Sequence, residues 1–203
     1  MRWIVALVVW AAALAGAAGL SSVVASNVHS QQASGSSSSA SFDAGAVVAA
    51  DKNSLFHVQN LSKALSIVRS HIGAGATLDS LVMYPGYLSI TQVKGGREGD
   101  VYVNAAGRFD LTELGSHSGD TPLYSLARVS AAAPEQIAQR IATLAHTPLS
   151  QLHYMIFERD SETHRLIWRI YTVAGNPITY FVTAGPHAPL FKLGQSGLER
   201  VRA

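Results

Sequence analysis

The sequence predicts an α+β fold: an N-terminal hydrophobic helix, a Ser-rich linker, then two tandem α-β-β-β(-β) units whose antiparallel sheet packs on two helices. Three observations predict it. An unbroken apolar run opens the chain, a polar low-complexity stretch follows directly, and one amphipathic helix followed by short alternating strands occurs twice.

Residues 1–25 read as a transmembrane anchor or a signal peptide. From Trp3 to Leu20 every residue is apolar or glycine. At about 1.5 Å per residue, a helix of this length just crosses the hydrocarbon core of a bilayer. Arg2 is the only Arg, Lys, Asp or Glu before Asp43, so the positive-inside rule leaves the N-terminus in the cytoplasm. Val23-Val24-Ala25 offers a cleavage point after Ala25. The expected location is the cell membrane, single-pass with the C-terminal domain outside, or secretion if the segment is cleaved. Residues 26–50 read as a flexible Ser/Gly-rich linker, because SNVHSQQASGSSSSAS buries too little to offset the entropy of ordering a chain.

The folded part divides into unit 1 (51–114) and unit 2 (122–193), joined through GSHSGDT at 115–121, with a tail at 194–203. Ser54-Leu55-Phe56-His57-Val58 matches Ser125-Leu126-Ala127-Arg128-Val129, and Leu78-Asp79-Ser80-Leu81 matches Leu149-Ser150-Gln151-Leu152; both pairs lie 71 residues apart. The first helix is expected from Leu61 to Ile72, with Leu61, Ala64, Leu65, Val68 and Ile72 on one stripe, Asn60 as N-cap, and Gly73 and Gly75 as the stop. The second is expected from Pro134 to Ala145, with Ile137, Ile141 and Leu144 inward and Glu135 complementing the dipole.

Unit 1 strands are expected at 80–84, 87–94, 101–104 and 108–112, with a loop from Gly95 to Asp100. Those of unit 2 are expected at 151–157, 165–172, 178–183 and 189–193. Alternation groups Leu152, Tyr154 and Ile156 on one face, and likewise Leu166, Trp168 and Ile170. A unit of about 70 residues buries only a marginal core, so two side by side could share one sheet.

A helix followed by an antiparallel meander, repeated in tandem, resembles the PepSY domains and the similarly built β-lactamase-inhibitor proteins. The local resemblance is Val101-Tyr102-Val103-Asn104-Ala105-Ala106-Gly107-Arg108. PepSY units often carry a strand ending in Val-Asp-Ala and a turn closing on Thr-Gly. Here Asn104 replaces the aspartate, the turn is one residue shorter and the threonine is absent. In unit 2, Tyr171–Asn176 keeps only the turn glycine. The resemblance implies a noncatalytic role, such as inhibiting a hydrolase or sensing in the cell envelope.

Composition narrows the chemistry. The 203 residues are 48% hydrophobic and 14% charged, carry a net charge of +2 and contain no cysteine. Disulfides, Cys-ligated zinc, iron–sulfur clusters and a lipid on cysteine are therefore excluded. Basic residues are scattered apart from Arg200 and Arg202, so no nucleic acid is expected as a partner. The eight histidines never stand at i, i+4 on a shared helix, and His71 and His146 complement helix C-termini. Gly115–Gly119 and Gly194–Gly197 read as flexible loops, since neither fits G-x-S-x-G. The carboxylates at Asp110 and Glu113, and at Glu158, Asp160 and Glu162, read as solvated charges near strand ends and turns. Gly95–Gly99 precedes no helix that would bind phosphate. No catalytic residue, metal ligand or cofactor is predicted.

The aromatics Tyr154, Trp168, Tyr171, Tyr180 and Phe181 remain. About half should be core, and any that point outward suit an interface. Trp168, Tyr171 and Tyr180 are the interface candidates. The expectation is an extracytoplasmic, noncatalytic binding or regulatory protein, partnered by the membrane through its N-terminal helix and by an envelope protein. A lipid- or small-ligand-binding module and a hydrolase without recognisable motif are the alternatives.

Overall fold

A computed structural model of the chain describes residues 47–119, 122–173, 178–184, 188–195 and 197–202. The expected N-terminal helix and most of the linker lie outside these residues. Among the described residues no helix is long and apolar enough to cross a membrane.

The described chain is α+β, with two helices and one antiparallel sheet. Helix α1 (Val58–Ile72) precedes β1 (Thr77–Met83), β2 (Tyr87–Lys94), β3 (Arg97–Asn104) and β4 (Phe109–Ser116). A two-residue strand, β5 (Tyr124–Ser125), leads to a single 3₁₀ turn and α2 (Ala133–Leu144). Then come β6 (Leu152–Arg159), β7 (Leu166–Thr172), β8 (Thr179–Thr183), β9 (Leu190–Gly194) and β10 (Gly197–Arg200). The sheet order is β10-β9-β8-β7-β6-β1-β2-β3-β4, with β5 pairing β1 beside the main path. Each unit is thus a helix plus a meander. The meanders join through their first strands, where Leu81, Val82 and Met83 pair antiparallel with Phe157, Ile156 and Met155.

The helices form where their apolar stripes predict. Leu61, Ala64, Leu65 and Val68 of α1 and Ile137, Ala138 and Ile141 of α2 join one continuous core with the facing side of the sheet. The Ser-Leu repeat is structural. Ser54 Oγ accepts from Phe56 N at 3.1 Å, and Ser125 Oγ accepts from Ala127 N at 3.2 Å. Each turn drives its leucine, Leu55 or Leu126, fully into the core ahead of the helix. Burying such a side chain stabilises the fold by roughly 1.5–3 kcal/mol.

Several expectations are corrected. Helix α1 begins three residues before Leu61, with His57 rather than Asn60 as N-cap. Asn60 lies inside the helix and donates to Lys52 O and Ser54 O. The cap comes from the other unit: Glu135 Oε2 accepts from Val58 N at 3.1 Å and Glu135 Oε1 meets His57 Nδ1 at 3.1 Å. These bonds, with the His57 contact first, hold the Glu135 carboxyl below its ordinary range.

Gly95 to Asp100 is not a loop. Gly95 and Gly96 both take positive φ, 59° and 75°, which allows a two-residue hairpin turn and starts β3 at Arg97. The second repeat match does not align strand with strand, because Leu149 sits in a 3₁₀ turn and β6 starts at Leu152. The folded part begins before residue 51, since Ala49 is buried. Residues 194–203 are not simply a tail: β10 pairs β9, Lys192 meets Glu199 at 3.5 Å, and Val201 N donates to Leu190 O. At the PepSY-like turn, Asn104 Oδ1 accepts from Arg108 N at 2.8 Å, so the amide closes the turn as an aspartate would. The corresponding turn of unit 2 falls largely outside the described residues.

Candidate functional site

The two helices cover one face of the sheet. Partners in an antiparallel pair lie on the same face, so the pairing defines the other face without ambiguity. One row runs Asp110, Tyr102, Ser89, Val82, Ile156, Arg169, Phe181 and Phe191, through successive pairings from β4 to β9. All but exposed Asp110 are half-buried.

Beside this row an aromatic chain crosses the junction between the units. Tyr87 stacks on Tyr84 with ring centres 4.5 Å apart, Tyr84 lies 5.2 Å from Tyr154, and Tyr154 stacks on Tyr171 at 4.5 Å. His153 meets Tyr84 and Tyr154 edge-on, at 5.7 and 5.2 Å. Burial pushes the phenols of Tyr87 and Tyr154 far above the ordinary tyrosine value, and it lowers His153. At neutral pH the surface is therefore uncharged, aromatic and edged with hydroxyls, which are the properties of a contact surface.

Charges flank the aromatics. Arg169 Nη2 pairs with Glu158 Oε1 at 2.7 Å, and its guanidinium lies over the Phe181 ring, 5.4 Å from the centre. Glu158 Oε1 and Arg169 Nε are buried and have no hydrogen-bond partner among the described residues. Burial raises the Glu158 carboxyl, with Arg169 pulling it back. Asp79 and Asp100 are also raised by burial; His117 offsets part of the rise at Asp79, and a hydrogen bond from Thr91 Oγ1 offsets part at Asp100.

Among the described residues, two histidines contact a carboxylate. His57–Glu135 belongs to the helix cap. His117 Nδ1 meets Glu98 Oε1 at 2.7 Å, while His117 N donates to Gly96 O at 2.8 Å, and together these fasten the segment after β4. Neither histidine hydrogen-bonds a serine among the described residues. Nor do three His, Asp or Glu side chains group there as metal ligands.

The interface candidates separate. Tyr171 lies on the open face, within the aromatic chain. Trp168 and Tyr180 do not: they are 2% and 1% exposed, inside the core. Trp168 packs on Phe157, with ring centres 4.8 Å apart, and Tyr180 Oη shares a hydrogen bond with Thr147 Oγ1 at 2.8 Å. Parity carried the signal, since Trp168 adjoins Arg169 in β7 and a buried charge is the costlier choice. In β6 a bulge between Leu152 and Tyr154 changes the parity. Leu152, Met155 and Phe157 therefore face the helices, and Tyr154 and Ile156 do not. Tyr84 and Tyr87, which flank the Pro85-Gly86 turn, were missed because only the pairing of β1 with β6 brings them to Tyr154.

No family model matches the chain, and no curated protein matches it. Among solved structures it is similar to a Clostridium difficile 630 protein provisionally described as a lipoprotein, at 14% identity and a TM-score of 0.45, over 65% of this chain and 91% of that one.

Proposed function

We propose that this chain is a noncatalytic binding or regulatory protein of the cell envelope. Its N-terminal segment holds it at a membrane, and the open face of its sheet docks a partner protein. The observation that carries the reading is the aromatic chain Tyr87–Tyr84–Tyr154–Tyr171, which spans both units on the face that the helices leave uncovered. Tyrosines present large contact area at low entropic cost and dominate binding hot spots. The helix-plus-meander layout agrees with the inhibitor- and sensor-like role that the PepSY resemblance implies. The apolar run from Trp3 to Leu20 supports attachment to the membrane or export across it.

The test uses the full-length chain in its native membrane, with a photo-crosslinking residue at Tyr171. The expected result is one reproducible envelope protein, lost when Tyr84 and Tyr154 are changed to Ala in a folded variant. No crosslinked partner, or the same partner after both changes, would overturn the reading. A hydrolase reading has one observation in its favour, the His117–Glu98 contact. Loss of a hydrolytic activity in His117→Gln would support it over the binding reading.

A further inference from the structure

A second site lies away from the open face. Arg128 from the 3₁₀ turn after β5, Arg159 at the end of β6 and Arg165 just before β7 line one open depression with a volume of about 380 Å³. Leu166, Thr183 and Ala184 complete its lining. We infer that this depression binds a phosphate-bearing anion.

Three features carry the inference. First, three arginines from separate segments line one depression, with no carboxylate in the lining among the described residues. None of the three forms an ion pair with a described residue. Like charges placed together repel, and an oxyanion held between them removes that cost while matching the planar fork of each guanidinium.

Second, one guanidinium is fixed in place. Arg159 Nε donates to Leu123 O at 3.3 Å and Nη1 donates to His164 O at 2.7 Å, which leaves Nη2 for a ligand. Preorganisation of this kind lowers the entropic cost of binding. One oxygen of the neighbouring carboxylate is turned to its own loop: Asp160 Oδ1 accepts from Thr163 N and Thr163 Oγ1, both at 2.8 Å. His164, a non-glycine residue at φ 54°, turns the backbone so that its carbonyl meets Arg159.

Third, the volume suits the ligand. It lies near the lower end of small-molecule pockets, roughly 300–1,000 Å³. That accommodates a phosphate with a small attached group. The shared chemistry is a phosphate oxyanion, supplied either free or as the headgroup of an anionic lipid.

The test keeps the full-length chain in nonionic detergent at fixed salt and follows amide hydrogen exchange at residues 124–128 and 159–166. Inorganic phosphate is titrated in one arm. In the other, the micelles carry either phosphatidylglycerol or phosphatidylcholine. Saturable protection by inorganic phosphate, weakened about tenfold in Arg128→Gln and in Arg165→Gln, supports the site with a free anion as its ligand. Protection by phosphatidylglycerol alone, lost in the same variants, supports it with a lipid headgroup. Both side chains are exposed, so these variants keep the fold, and circular dichroism checks this. Protection in neither arm, or protection unchanged in both variants, overturns the inference.

Discussion

Leu81 and Val82 are neighbours in β1, yet each belongs to a row of paired side chains that crosses the sheet on a different face. The row through Leu81 continues to Ile90 and Val101 on one side and to Phe157, Trp168, Val182 and Leu190 on the other, every one of them buried under the helices. The row through Val82 meets Ser89 and Tyr102, then Ile156, Arg169 and Phe181, and each is half-buried. Both faces are rich in aromatics, so hydrophobic content alone does not separate core from contact surface. Depth of burial does: Tyr124 and Tyr180 are 3% and 1% exposed, whereas Tyr84, Tyr87, Tyr154 and Tyr171 are half-buried. On the covered face, Tyr124 Oη donates to Phe157 O at 2.5 Å and Tyr180 Oη is bonded to Thr147. On the open face the tyrosines stack on one another.

The largest expected effect breaks the covered face. Trp168→Ala removes the largest fully buried side chain among the described residues and should cost about 3–5 kcal/mol in urea unfolding. Tyr124→Phe keeps the ring but leaves the Phe157 carbonyl without its hydroxyl donor, and the same measurement should show a loss of about 1–3 kcal/mol. On the open face, Tyr171→Ala gives up a stacked pair and should cost only about 1 kcal/mol while abolishing partner capture. A cost near that of Trp168→Ala would erase the contrast between the faces.

The smallest effect is electrostatic. Burial raises the Asp79 carboxyl above its unfolded value, so the contribution of the neutral form is complete below about pH 4 and is lost as pH rises through the folded value. Asp79→Asn should therefore melt a few degrees higher than wild type at pH 7, with the advantage shrinking towards pH 4. The opposite titrations of Glu135 and His153 cancel in that difference.

Helix stripes and some strand limits were legible in the sequence because they depend on neighbours a few residues apart. The Leu61–Val68 stripe and the limits of β2 at Tyr87 and Lys94 emerged as read. What depends on distant residues did not. The cap of α1 comes from Glu135, which no local pattern around Asn60 reveals. The bulge at the start of β6 changed the face of Tyr154 and Ile156, and β10 is short and exposed, with no apolar alternation. Of the candidate site, Tyr171 was found, but its neighbours Tyr84 and Tyr154 meet only across the join between the units. The arginine depression draws on three segments and has no sequence signature.

The β1–β6 join gives the two units the layout of a two-fold pair. Two equivalent strands, each the first of its meander, pair antiparallel with helices over the same face. That is the geometry of an isologous contact about a two-fold axis. A single unit standing alone would expose β1 as an unpaired edge, which a second copy could satisfy by the same pairing. The folded part is therefore built like a homodimer whose subunits are joined head to tail: one half supplies Tyr84 and Tyr87, the other Tyr154 and Tyr171, and the surface they make belongs to neither alone.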